Sequence, residues 1–200
     1  MSMYIVGITG ASGSIIGIRL IEELLKSGKS VSSIVSASAW DVIRHEVAGA
    51  ADVRSMAGLL DSRGCSYPAQ SLHEYRNDDM FAPPASGSYR CDAVIVAPCS
   101  MKSLAGIASG YAETLILRAA DVALKEGRRC ILVPRETPLS LVHIENMLRV
   151  KRAGADIVPP VPGFYTQPRT IDDIINFITG KILNLLGIEH SLFGGWGDEL

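Results

Sequence analysis

A junction near the N-terminus narrows the possible folds more than any other feature. The apolar run Met3–Thr9 leads into Gly10-Ala11-Ser12-Gly13, and a helical stripe of Ile16, Leu20, Ile21, Leu24 and Leu25 follows at once and stops before Gly28. A strand that is apolar throughout, joined to an amphipathic helix by four small residues, reads as the first half of a βαβ unit. Such a unit commits the chain to a parallel sheet covered by helices. The pattern recurs. Apolar, β-branched runs lie at Ser30–Ser36, Ala93–Ala97, Cys130–Pro134 and Asp156–Val158. Helical periodicity lies between them at Ala39–Val47, Leu104–Gly110, Thr114–Lys125, Ser140–Ala153 and Ile171–Leu186. This alternation predicts an α/β fold with a doubly wound parallel sheet. Two hundred residues, 48% of them hydrophobic and 20% charged, suit one globular domain with a sizeable core. The domain is placed at residues 1–187, with 188–200 as a C-terminal arm docked elsewhere. Asn77–Ser88, rich in Pro, Gly and Asp, reads as a functional loop.

Charge and composition exclude several classes of function. The net charge is -2 and no basic run or arm occurs, which argues against nucleic acid as a partner. No apolar stretch reaches the ~18 residues of a membrane span. The N-terminus enters a strand without a charged leader, so a cytoplasmic location is expected. Cys65, Cys91, Cys99 and Cys130 are scattered without a C-x-x-C pair and read as reduced, packed thiols rather than a disulfide frame or a metal site.

In an open parallel sheet, ligands collect beyond the carboxyl ends of the strands, where helix N-termini offer unpaired N–H groups. Gly10 and Gly13 allow the backbone to approach an anion and Ser12 adds a hydroxyl, which makes a phosphate seat; a tight turn that needs small residues explains the same letters equally well. A dinucleotide site would place Asp or Glu at the end of the second strand, but the chain reads "IVSASAW" there. Ser36 and Ser38 in that position favour a mononucleotide or flavin phosphate over NAD. A second anion is indicated by "FAPPASGSYR", where Pro83 and Pro84 lead rigidly into Ala85-Ser86-Gly87-Ser88. Arg135 follows a strand directly, Glu136 stands beside it, and Arg118 and Lys125 lie seven apart on one helix face.

The segments "GITGASG", "NDDMFAPPASGS", "APCSMKSLAGIASG", "RAADVALKE", "VPRETPLSLVHIENM", "GADIVPPVPGFYTQP" and "ILNLLGI" resemble the flavin prenyltransferases of the ubiquinone and phenylacrylate decarboxylase systems, nearly end to end. The resemblance implies a flavodoxin-like or Rossmann-like fold. It also implies metal-independent transfer of a dimethylallyl group from dimethylallyl monophosphate to N5 and C6 of reduced FMN. The product, prenylated FMN, would serve a partner non-oxidative decarboxylase. Carried over to this chain, the resemblance gives FMN the residues Gly10, Ala11, Ser12, Ser36, Ser100, Met101, Lys102, Ser103 and Arg135. The donor phosphate receives Ser86, Gly87, Lys125, Arg135, Tyr165 and Lys181, the last two from a neighbouring subunit. Glu136 and Glu46 match the acid/base carboxylates, and Lys125 and Arg118 join them as catalytic groups acting where phosphate charge develops. Two positions depart from the family. Met80 stands where some members carry tryptophan near the prenyl chain, with Phe81 as its possible substitute, and Lys181 stands where arginine is usual, keeping the charge without the fork.

A flavin-dependent cysteine decarboxylase on the same layout would carry a His ahead of the third strand-like run and different turns after the third and fourth. No His occurs between Asn77 and Asp92, and those turns read "CSMKS" and "PRETP". A non-catalytic FMN-binding subunit would need neither Glu136 nor a second phosphate site. "DDIIN" reads as a helix start with Asp172 and Asp173 in the first turn rather than a metal motif. His45, His73, His143 and His190 read as surface or satisfied interior residues, Cys99 as packing, and Trp40 and Trp196 as packing or interface groups. The loop "PGFYTQP" and the apolar, Trp-bearing tail predict a homo-oligomer with its active site at subunit interfaces, and the resemblance implies dodecamers.

Overall fold

The computed structural model describes residues 2–194. Six strands form one all-parallel sheet: β1 (Met3–Ile8), β2 (Ser30–Val35), β3 (Leu72–Arg76), β4 (Ala93–Cys99), β5 (Arg129–Pro134) and β6 (Asp156–Ile157). Their order is β3-β2-β1-β4-β5-β6. Helices α1 (Ser14–Lys26), α2 (Ala37–Glu46), α3 (Met56–Ser62), α4 (Met101–Ser109), α5 (Leu115–Lys125), α6 (Leu141–Arg152) and α7 (Ile171–Leu186) cover both faces. Because strand side chains alternate, the same apolar runs feed two cores. Tyr4, Val6, Ile8, Val31, Val35, Ile95, Ile131 and Val133 pack beneath α1, α2, α3 and α7. Ile5, Ile34, Val94, Val96 and Leu132 pack on the other face beneath α4, α5 and α6.

The expected α/β architecture is present, with two additions and small shifts. β3 and α3 were not anticipated. α2 and α4 begin two and three residues earlier than the periodicity placed them, because Ser36 and Ser100 are their N-caps, each side chain accepting a backbone N–H at 3.2 Å. Asp173 and His143 complete capping boxes with Thr170 and Ser140, which gives "DDIIN" and His143 structural roles. One ionic cluster binds the first layer together. Glu22, 4% exposed, receives Arg63 Nε at 2.5 Å and lies 3.5 Å from Arg19 Nε, and Arg19 in turn reaches Asp172 of α7 at 3.7 Å. The described part of the C-terminal arm returns to its own chain: the Phe193 ring lies 5.0 Å from Phe177 and 5.2 Å from His190. Trp196 lies outside the described residues.

Candidate active site

β1 and β4 are neighbours, but α1 and α4 leave them for opposite faces of the sheet. A parallel sheet opens a crevice where its connections diverge in this way. The two strand ends are stitched together: Thr9 Oγ1 donates to the Pro98 carbonyl at 2.8 Å, and the Ser100 N–H donates to Thr9 Oγ1 at 2.8 Å. Above this seam lies a crevice of about 400 Å³, lined by Gly10, Ser36, Ser38, Asn77, Ser100, Lys102 and Ser103, with an apolar wall that includes Ala105, Ile116 and Leu117.

Four helices start around the crevice, and the first N–H groups of a helix have no partner within it. Their use can be followed individually. The Ala39 and Ser103 N–H groups go to the caps just described. At α5, Asn77 caps from a distance, its carbonyl accepting the Leu115 N–H at 2.9 Å and its Oδ1 the Ile116 N–H at 3.1 Å. At α1, the cap is a carboxylate. Glu46 Oε2 accepts the Gly13 N–H at 2.9 Å, the Ser14 N–H at 3.3 Å and the Ser14 hydroxyl at 3.2 Å. Desolvation raises the Glu46 carboxyl, but the bonds from Ser12, Gly13 and Ser14 outweigh it and hold the group below the usual carboxylate range. This revises one sequence expectation: the α1 terminus is occupied by Glu46, so Gly13 is not a free anion donor. The Gly10 and Ser12 N–H groups make no backbone or side-chain hydrogen bond among the described residues. Together with the first-turn amides of α2 and α4, they are the donors that remain for an anion. Gly10 itself packs so tightly on Ser38 that a Cβ would strike the serine hydroxyl.

The second set of residues assembles on α5. Arg118 Nε donates to the Ala85 carbonyl at 3.1 Å, and its Nη1 pairs with Asp121 at 2.7 Å. The Lys125 ammonium is paired with Glu126 and lies 3.1 Å from where a Gly87 Cβ would sit. Ser86 and Ser88 share a hydroxyl hydrogen bond of 2.8 Å, and the Ser88 N–H donates to Ser86 Oγ at 3.2 Å. The lysine and the small-residue turn singled out in the sequence are thus in contact. Arg135 and Glu136 stand exposed just beyond β5; the Arg135 N–H donates to the Cys99 carbonyl at 3.2 Å, and Glu136 Oε1 accepts the Thr137 N–H at 3.0 Å. Among the described residues no hydrogen bond or ion pair joins Arg135 or Glu136 to the α5 set. Met101 lies half-buried at the start of α4, and Met80 and Phe81 are exposed, Phe81 completely. Tyr165 packs edge-to-face on Phe177 at 5.8 Å, and Lys181 is exposed on α7.

Cys99 is fully buried and burial pushes its thiol up, while Cys130 is pushed up to about 12, so neither is poised as a nucleophile. Among the described residues no group of three or more His, Cys, Asp or Glu side chains is placed to hold a metal ion, and no helix is long and apolar enough to cross a membrane. The sequence reading missed Asn77 and Arg128. Asn77 reads in sequence as the start of a loop, whereas in the fold it accepts the first N–H groups of α5, whose own N-cap Thr114 makes no side-chain cap bond. Arg128 was one of two adjacent arginines beside a strand, which reads as surface charge.

A profile of the flavoprotein family matches residues 2–183. The flavin prenyltransferase UbiX of Halalkalibacterium halodurans is 48% identical over 198 residues, covering 98% of this chain and 94% of that protein. The crystal structure of AnUbiX (PadA1) in complex with FMN and dimethylallyl pyrophosphate superposes with a TM-score of 0.88 at 40% identity, covering 98% and 97% of the two chains. A dodecameric FMN-dependent UbiX-like decarboxylase from Escherichia coli O157:H7 gives 0.87 at 42% identity, covering 97% and 98%. With its crevice at the reversal of strand order, unspent helix amides there and similarity along almost its whole length, the chain belongs to the flavoprotein family and, within it, to the flavin prenyltransferases.

Proposed function

We propose that the protein transfers a dimethylallyl group from dimethylallyl monophosphate to N5 and C6 of reduced FMN, making prenylated FMN for a partner non-oxidative decarboxylase. The observation that supports the reading is that two separate places offer donors an anion could use: the crevice between β1 and β4, and the Ser86–Ser88 turn beside Lys125. A carrier of one flavin needs the first alone. The residues of the crevice fit FMN. Gly10, Ser36, Ser100 and Ser103 supply amides and hydroxyls for a phosphate, with Ser12 next along the opening loop, and Ala105, Ile116 and Leu117 supply an apolar wall for a flat ring. Reduced FMN supplies the nucleophilic nitrogen and carbon of the two new bonds.

The protein's own work is electrostatic. Breaking the allylic C–O bond leaves negative charge on the departing phosphate and positive charge on the prenyl group. Lys125 and Arg118, with Arg135 and the Ser86 hydroxyl and Gly87 amide, are fixed donors for that phosphate. Glu136, exposed and accepting one hydrogen bond, is free to take or return a proton as the second bond closes. Glu46 contributes as an ionised carboxylate whose bonds also hold the opening loop in place. Tyr165 and Lys181 complete the donor site from a neighbouring copy, in a homo-oligomer of the dodecameric kind seen in the Escherichia coli relative. A cytoplasmic location belongs to the same reading, in keeping with four free cysteines.

The test is anaerobic incubation of the folded protein with reduced FMN and dimethylallyl monophosphate or diphosphate, followed by mass analysis of the released flavin. A flavin mass raised by one prenyl unit is expected with the monophosphate, and it should persist in the presence of a chelator. An unchanged flavin mass would reject the reading.

A further inference from the structure

In the turn read as the second anion seat, the carbonyls are held by two guanidinium groups. In the segment Ala85–Tyr89, three alternate carbonyls accept from arginine: Ala85 from Arg118 Nε at 3.1 Å, Gly87 from Arg128 Nη2 at 2.6 Å and Tyr89 from Arg128 Nη1 at 2.7 Å. Arg128 is itself anchored, because its backbone N–H donates to the Ala123 carbonyl at 2.8 Å at the end of α5, directly before β5. Its side chain is half-buried and makes no ion pair with a carboxylate among the described residues. An arginine committed to two carbonyls, rather than to a carboxylate, serves the shape of the loop. A carbonyl oxygen turned toward a phosphate repels it, and both carbonyls here are drawn toward Arg128 by charge-assisted bonds. The fork separates two donors at a fixed spacing, which a lysine cannot reproduce.

We propose that Arg128 is a positioning residue for the donor phosphate. By fixing the Gly87 and Tyr89 carbonyls behind the turn, it leaves the Ser86 hydroxyl, the Gly87 amide and the neighbouring Lys125 to face the anion. This rests on the reading of Ser86–Gly87 as the phosphate seat. None of the residues lining the flavin crevice bonds to Arg128, so its removal separates donor binding from flavin binding.

The experiment compares wild type with Arg128→Gln and Arg128→Lys, measuring FMN affinity by fluorescence and the KM and kcat for dimethylallyl monophosphate. Loss of charge-assisted bonds to both carbonyls is expected to raise the donor KM about 10- to 100-fold in Arg128→Gln. Arg128→Lys should fall between the two, because the charge survives and the fork does not. FMN affinity should stay within about twofold, and kcat at saturating donor within about threefold, since neither depends on bonds made by this side chain. A wild-type donor KM in either folded variant overturns the proposal, as does a fall in FMN affinity equal to the fall in donor affinity, which would mark general damage. If Arg128→Gln does not fold, Arg128→Lys alone decides. Failure of the wild type to turn over any donor would count against the functional reading instead. The seat is then tested with inorganic phosphate by calorimetry: binding lost in the variant supports the role of Arg128, and equal binding rejects it.

Discussion

Glu46 and Glu136 are both carboxylates at the carboxyl end of the sheet, yet their surroundings set them to different tasks. Glu46 accepts bonds from two backbone N–H groups and from hydroxyls at the start of α1, where the helix dipole also favours negative charge. Its carboxyl is therefore held below the ordinary value of 4.5. A depressed folded-state value gives stability that is complete above the unfolded value and is lost as pH falls through the folded one. Glu46→Ala is accordingly expected to melt at a lower temperature than wild type at pH 7, with the gap closing as the pH drops below the carboxylate range. Thermal scans over that range check it, and a gap that stays constant would remove the charged cap from the account. Glu136, by contrast, accepts one bond from its neighbour Thr137 and caps no helix. Glu136→Gln should keep FMN and the melting temperature while slowing turnover by roughly 10²- to 10⁴-fold, the usual loss for a general acid or base. Unaltered turnover in single-turnover assays would take Glu136 out of the mechanism.

At the level of elements, the opening βα unit depends on how closely α1 can lie on the sheet. Gly13 takes a positive φ of 93° at the helix start, which only glycine adopts cheaply. Gly17, one turn on, faces β4 so closely that a Cβ would run into the Ala97 carbonyl oxygen, with Ile8 Cγ1 at 3.0 Å on its other side. That obstacle is backbone and cannot rotate away. Gly17→Ala should therefore cost about 1–3 kcal/mol of stability, or on the order of 2–4 °C in melting temperature per kcal/mol for a chain of this size. A melting point equal to wild type would show that α1 can shift outward freely. What the sequence disclosed of such elements follows their chemistry. Five strands were legible as short runs, of which β1, β2, β4 and β5 are almost wholly buried, and with only those five the sheet order reduces to the flavodoxin pattern of 2-1-3-4-5. β3 went unseen because it is an edge strand, with His73, Glu74 and Arg76 exposed and no run to read. α3 went unseen with it, since this seven-residue helix takes its cap in part from Glu74, which accepts the Met56 N–H at 2.5 Å across eighteen residues. Adding β3 completes the 3-2-1-4-5-6 order. The same limit hid Asn77 and Arg128. Both act on backbone groups remote in sequence, and no local pattern announces a bond of that kind.

The whole molecule divides the residues proposed for the donor site between the two faces of its sheet. Arg118 and Lys125 ride on α5 in the layer with α4 and α6, whereas Lys181 belongs to α7 and Tyr165 packs on the α7 residue Phe177, in the opposite layer. Six strands stand between these two groups, so one donor phosphate meets both sets most simply when a second copy of the chain presents its α7 layer to the first. The surface is suited to such contact. Phe164 and Ile171, which flank Tyr165 and the start of α7, are 75% and 76% exposed, and apolar groups of that size on a monomer's surface usually find a partner. A heterologous contact of one layer on another gives a symmetric ring when its rotation closes and an open filament when it does not. If the site is shared, inactive Glu136→Gln subunits mixed with inactive Tyr165→Phe/Lys181→Ala subunits will regain part of the activity, because some interfaces then join two intact half-sites. Random exchange at equal concentration leaves about one interface in four fully intact, so recovery toward that fraction of wild-type turnover is the expected ceiling. Subunit exchange is verified independently by mass spectrometry of isotope-labelled chains. Exchange without any return of activity would place Glu136, Tyr165 and Lys181 within one chain's site and would require Tyr165 and Lys181 to reach the α5 layer around the edge of the sheet.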